Sequence, residues 1–192
     1  LWAILYSHRL YVVLIGATEK KAEGLLKDLK SWLRYNERLA ADFPEICKPI
    51  VALEGIALRA KAQTAQRYDS AGNKVGDVVQ CECEWTAKKI VLPTVKDSPA
   101  SGSVIEIAGL TGDIRGRKHT KADGSSIRPD FVICDDPQTK ESAGSKAQTD
   151  DREEIVQGDV LGLAGPGQAI TCVMPCTIIE KGDLADRFLD RQ

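Results

Sequence analysis

The 192-residue chain contains no apolar run near the roughly 18 residues that a membrane-spanning helix requires, so no membrane partner is expected. The layout of a secretory signal is missing, and so is an initiating methionine. The opening residues, LWAILYSHR, read as the end of a helix already under way, and the expectation is a fragment or a product without its true start. A surplus of either charge is also missing. With 26 Lys and Arg against 28 Asp and Glu, the net charge of −2 gives no electrostatic reason for wholesale binding to a polyanion. Contact with nucleic acid would need a local patch such as Arg115, Arg117, Lys118, His119 and Lys121. The six cysteines form no metal pattern. Cys81 and Cys83 lie at strand spacing, expected to share one face, without a second Cys/His pair at zinc spacing. Cys134, Cys172 and Cys176 sit in or beside apolar runs, where a free thiol behaves as a small hydrophobe, so a reduced, cytosolic chain is expected. Internal repeats and low-complexity tracts are absent as well.

Apolar material, at 43% of residues, is ample for one core and one domain. Leu10 to Ala17, LYVVLIGA, has the nearly unbroken apolar character of a parallel strand covered on both faces. Thr18 is a candidate N-cap. Beyond it Ala22, Leu25, Leu26, Leu29, Trp32, Leu33, Leu39 and Ala40 recur at helical steps, predicting an amphipathic helix that stops at the Pro44 turn. Residues 45 to 68 read as mixed short pieces. DSAGNKVGD, Asp69 to Asp77, is dense in turn formers and predicts a hairpin or surface loop. Strands are expected at Val78–Trp85, Lys89–Leu92, Ser103–Ala108, Phe131–Cys134 and Ala169–Met174, and a helix over Ser145–Leu163. Between the third and fourth of these strands lies a long glycine-rich, basic stretch without periodicity. Strands alternating with helices predict an α/β fold: a mostly parallel sheet flanked by helices, with an antiparallel β-hairpin excursion.

In such sheets ligands sit outside the carboxyl ends of the strands. GAT (Gly16–Thr18), CDDPQ (Cys134–Gln138) and PCT (Pro175–Thr177) all fall at strand ends and would line one crevice if the strands are neighbours. CDDPQ places two acids at the end of a buried strand, where burial without a positive partner is costly. Either a divalent metal neutralises them or a turn sends both into water. The pattern matches triphosphatases, in which the first acid stands behind magnesium and the second polarises the attacking water. Arg115, in the glycine-flanked run DIRGRK, is either a solvated loop residue or a charge aimed at a γ-phosphate. Thr177 either satisfies a strand end or senses the hydrolysis state beside a phosphate.

The runs GLTGDIRG, RPDFVICDDPQTKESAGSKAQ, GDVLGLAGPGQAITCVMPCTII and GDLADRFLD resemble the ATPase domain of the large terminase subunit of tailed bacteriophages. WAILYSHRLYVVLIGATEKKAEGLLKDLKSWLRYNERLAADFPE is similar to the segments that follow that family's phosphate-binding loop, so the resemblance covers nearly the whole chain. It implies a P-loop NTPase fold of the ASCE type and ATP and Mg²⁺ as cofactors. It implies a motor that drives viral double-stranded DNA into a procapsid from the host bacterial cytoplasm. The implied partners are the portal protein, the small terminase subunit and further copies in a ring. Asp135 would hold the metal, Asp136 would occupy the place of the catalytic carboxylate, Arg115 would act in trans, and Thr177 would fall in the coupling motif. Many members carry Glu where this chain has Asp136. No G-x-x-x-x-G-K-[ST] occurs in the chain, so residues 1–192 would be a partial ATPase domain with that loop upstream and a nuclease domain downstream.

Two other classes remain open at this point. One is a metal-dependent nuclease, with Asp135 and Asp136 joined by Glu106 and Asp183. The other is a non-enzymatic assembly or DNA-binding module resting on the basic loop.

Overall fold

The computed structural model of the chain describes residues 1–61, 63–68, 73–95, 97–121 and 123–189. A short helix α1 (Trp2–Leu5) leads into strand β1 (Tyr11–Gly16), which is buried at every position. Thr18 caps α2 (Glu19–Tyr35), its hydroxyl accepting the Lys21 N–H at 3.3 Å. The single helix expected up to Pro44 is divided. Asn36 turns extended and its side chain accepts the Leu39 N–H at 3.0 Å, ending α2 and starting α3 (Glu37–Asp42). Pro44 opens α4 (Pro44–Ala52), where its missing N–H costs nothing, so it begins a helix as well as ending the run before it.

The expected hairpin joins β2 (Gln63–Tyr68) to β3 (Lys74–Cys81) in antiparallel pairing. Asp69–Gly72 of its expected turn lie outside the described residues, and the later part of that turn is strand. The strand expected over Val78–Trp85 breaks after Cys81, and β4 (Glu84–Trp85) starts afresh. Cys81 packs with Ala65 and Val95, whereas the Cys83 thiol turns to the Ala60 carbonyl, so the pair does not share a face. Next come β5 (Lys89–Val91) and β6 (Val104–Gly109). The long basic stretch holds a small ribbon of β7 (His119–Thr120) and β8 (Ser126–Ile127), followed by β9 (Phe131–Asp135). A short helix α5 (Lys140–Ala143) precedes the helix expected at Ser145–Leu163, which starts at its Ser145 cap as α6 (Lys146–Glu154) and passes directly into a π-type turn over Ile155–Val160. Thr139 and Ser145 each cap a separate start, so α5 stands apart from α6. β10 (Thr171–Val173) and α7 (Leu184–Leu189) complete the chain.

The main sheet has the order β10-β9-β1-β6-β5-β4. β10, β9, β1 and β6 run parallel, and β5 and β4 are antiparallel to them. Alternation sorts the strands onto two faces. Val12, Leu14, Ile105, Ile107, Phe131 and Ile133 pack under the α1–α4 layer. Tyr11, Val13, Ile15, Val104, Val132 and Cys134 pack under the segment around Val156–Leu163. Asp130 sets the register: its carboxylate accepts the N–H groups of Leu10 and Tyr11 at 2.9 and 3.0 Å, tying the start of β9 to the start of β1. Among the described residues no helix is long and apolar enough to cross a membrane.

At the other end of the strands, α2 starts almost on top of the sheet. A Cβ on Gly109 would lie 2.6 Å from the Glu19 amide nitrogen, and one on Gly16 would lie 2.9 Å from that of Ala22. Gly109→Ala is expected to push the helix off the strand tips and destabilise the chain by about 1–3 kcal/mol in urea unfolding. Gly24→Ala, at an exposed helical position with nothing within 4 Å of the added carbon, should instead stabilise by up to about 1 kcal/mol.

Candidate functional site

Parallel register brings three strand tips to one level. Gly16 pairs with Gly109 on one side and with Asp135 on the other, and the amide of Asp136 donates to the Pro175 carbonyl at 3.0 Å. The GAT, CDDPQ and PCT segments therefore meet, as expected from their strand-end positions.

The twin acids part at this tip. Asp135 follows Phe131 and Ile133 onto the α2 face of the sheet, is half-buried, and lines a cavity of ≈ 240 Å³. That cavity is otherwise walled by apolar side chains such as Leu1, Ile4, Leu25 and Trp32, with Asp28 of α2 the other acid. Asp136 adopts a left-handed backbone (φ 41°), a conformation that aspartate tolerates better than most residues, and is exposed. No hydrogen bond or ion pair reaches either carboxylate among the described residues. No group of three His, Cys, Asp or Glu side chains there could hold a metal ion by itself. One or two free carboxylates suit magnesium, which keeps several waters and takes further ligands from substrate phosphates. The residues present thus fit an ion that arrives with a phosphate ligand.

Directly after the acids, the chain enters a buried polar circuit. The guanidinium of Arg152, from α6, donates to the Pro137 carbonyl at 2.9 Å, and its Nε is buried without a partner. Burial lowers the Arg152 pKa. Gln138 is only 4% exposed. Its amide donates to the Thr177 carbonyl at 3.0 Å and to Asp183 at 2.9 Å, and its oxygen accepts the Leu184 N–H at 3.0 Å. Asp183, fully buried at the start of α7, also accepts the N–H groups of Ile179, Glu180 and Asp186. Burial pushes its pKa up, but these donors together outweigh it, and the carboxyl is held below the ordinary aspartate value.

Thr177 meets the turn after the acids through its backbone carbonyl, which accepts from Gln138, and its side chain is exposed. Arg115 stands apart. Its Nε donates to Asp159 at 2.5 Å, on the segment covering the face opposite Asp135, and the side chain is 76% exposed. It borders a polar depression with Lys89, Glu106, Asp113, Arg117 and Lys118, separate from the Asp135 cavity. Glu106 sits mid-strand on that second face, paired with Arg117 at 2.5 Å and accepting from Tyr11. It faces away from Asp135, and Asp183 has its acceptor capacity occupied. Neither converges on the strand tip. Burial and the neighbouring Lys89 lower the His119 pKa.

No known family model matches the chain, and no curated protein matches it. Sequence reasoning missed Gln138, Arg152 and Asp183 as parts of this assembly. Asp183, just before the apolar LADRFL, carried a helix-cap signal, whereas nothing local marks a glutamine or an arginine that will be buried.

Because the Asp183 pKa is depressed, its contribution is present above the unfolded carboxyl value of about 3.9 and is lost as pH falls through the folded value. Asp183→Ala should therefore cost about 1–3 kcal/mol at neutral pH in urea unfolding, the gap to wild type closing as pH falls through the depressed folded value. A gap independent of pH would show that the buried group is not ionised.

Proposed function

We propose that the chain is the ATP-hydrolysing part of a bacteriophage DNA-packaging motor, a piece of a large terminase subunit with an ASCE-type P-loop fold. The observation that carries this reading is the unpaired acid pair at the carboxyl tip of the parallel strand β9, against Gly16 and the Pro175–Thr177 segment. Asp135, half-buried and free of cations, holds the metal. Asp136, exposed and set by its left-handed turn, orients the attacking water from a carboxylate one methylene shorter than the usual glutamate. Bound Mg²⁺ supplies neutralisation of the phosphate charge. Arg115, exposed and away from Asp135, would serve a neighbouring copy, and it must leave Asp159 to do so. Thr177 reports on the tip through Gln138.

The reading asks for a phosphate-binding loop outside these 192 residues. Two features support a place for it. The outer edge of β10 pairs with no further strand among the described residues, and the cavity beside Asp135 offers an apolar bed to an added helix. Viral double-stranded DNA, the portal and procapsid, the small terminase subunit and a ring of copies in the host bacterial cytoplasm are the partners this function entails. A nuclease has less support, because Glu106 and Asp183 are turned elsewhere. So has a simple DNA-binding module, because Arg115 and Arg117 are neutralised by Asp159 and Glu106.

The gene product expressed with the sequence encoded upstream of Leu1 should hydrolyse Mg·ATP, and Asp135→Ala should reduce turnover to background. Turnover unchanged by Asp135→Ala ends the proposal. The 192 residues alone should bind ATP weakly at best. Arg115→Ala and Asp136→Ala subunits, each inactive alone, should regain activity when mixed, since an intact acid then meets a neighbour's intact arginine. Absence of recovery would place Arg115 outside the shared site.

A further inference from the structure

We propose that Gln138 is a positioning residue that makes the acid-bearing turn and α7 move as one body. Its carboxamide, carried by the acid-bearing turn, bonds at once to the Thr177 carbonyl in the segment after β10, to Asp183 and to the Leu184 N–H at the start of α7. The orientation of the amide follows from its partners: flipping it would set the oxygen against the Thr177 carbonyl and the Asp183 carboxylate, and the NH₂ against the Leu184 N–H. Buried and fully engaged, such a group has no solvent-exposed alternative that would let one side move alone.

A second route closes the circuit. Arg187 of α7 bonds to Asp150 and Glu153 of α6 at 2.7 and 2.8 Å, and Arg152 of α6 holds the Pro137 carbonyl at 2.9 Å. The turn, α6 and α7 are thus linked in a ring of polar contacts whose one buried amide is Gln138. Two residues before that amide stands Asp136, in its left-handed conformation. Displacement of the acids by a ligand is therefore passed to α7. This rests on the ATPase reading only for what displaces the turn.

The test is amide hydrogen exchange on the 192-residue chain carrying Gln138→Glu, across roughly pH 5 to 8, where a buried carboxyl beside another carboxylate titrates. Asp183, Asp136, Cys176 and Arg152 are the charged or titratable groups around it. Protonated, the introduced acid still donates to Asp183 and accepts from Leu184. Ionised, it faces a carboxylate and a carbonyl. Amides of Leu184–Leu189 and of the turn, Asp136 and Gln138 itself, should lose protection together by about tenfold or more as pH rises, with β1 and β6 unchanged and wild type flat. Wild-type exchange in α7 at every pH, or loosening of α7 without the turn, overturns the proposal. If the variant loses protection everywhere, Asp183→Asn decides: joint loosening of turn and α7 supports the link, and loosening of α7 alone refutes it. In the longer gene product, Mg·ATP should alter α7 exchange in wild type, and Gln138→Glu above the titration should abolish that response and lower kcat with KM retained. ATP hydrolysis without any α7 response overturns the relay. No ATP hydrolysis at all overturns the ATPase reading, while the exchange experiment still decides the link.

Discussion

The parallel register of β1 between β6 and β9 is the constraint on which the rest of the molecule depends. Because Gly16, Gly109 and Asp135 end at one level, the helix after β1 begins directly above them, and only residues without a Cβ leave room for its first backbone atoms. Asp130 secures that register at the opposite end by gathering the free N–H groups of Leu10 and Tyr11. A slip by one residue would exchange the faces of every strand side chain, sending Asp135 into the second core and Cys134 toward α2.

The same alternation separates two kinds of charged group. Charges on the second face are paired: Glu106 with Arg117, and Asp159 with Arg115. At the strand tip, Asp135 and Asp136 have no cation partner among the described residues, and the burial cost is reduced by turning one toward a cleft and leaving the other in water. Arg152 inverts this pattern. It is a buried cation that meets a carbonyl rather than an acid, an arrangement that holds the turn without neutralising the carboxylates beside it.

Around this turn the polar groups act as a set. Asp183 accepts the N–H groups of Ile179 and Glu180 ahead of α7, that of Asp186 within it, and a side-chain amide from the turn, so the helix start and the strand end share one carboxylate. Under the proposed function, that sharing offers a route from the state of a bound phosphate to the far helix, and the apolar cavity and open β10 edge mark where further polypeptide would seat.

Local patterns in the amino-acid sequence determined the elements and their kind. The apolar run at β1, the helical spacing from Ala22 to Leu33 and the acid-tipped β9 were all legible, because burial on two faces and a 3.6-residue period leave direct marks in residue order. The division at Asn36, the start of a helix at Pro44 and the break after Cys81 were less legible, since cap and turn residues tolerate several local outcomes that packing then selects. Only tertiary structure decided that Asp135 and Asp136 lack partners among the described residues, that Arg115 lies on the other face, and that Gln138, Arg152 and Asp183 form one buried circuit. Those relations join residues up to 46 positions apart through side chains whose burial no short window of sequence records.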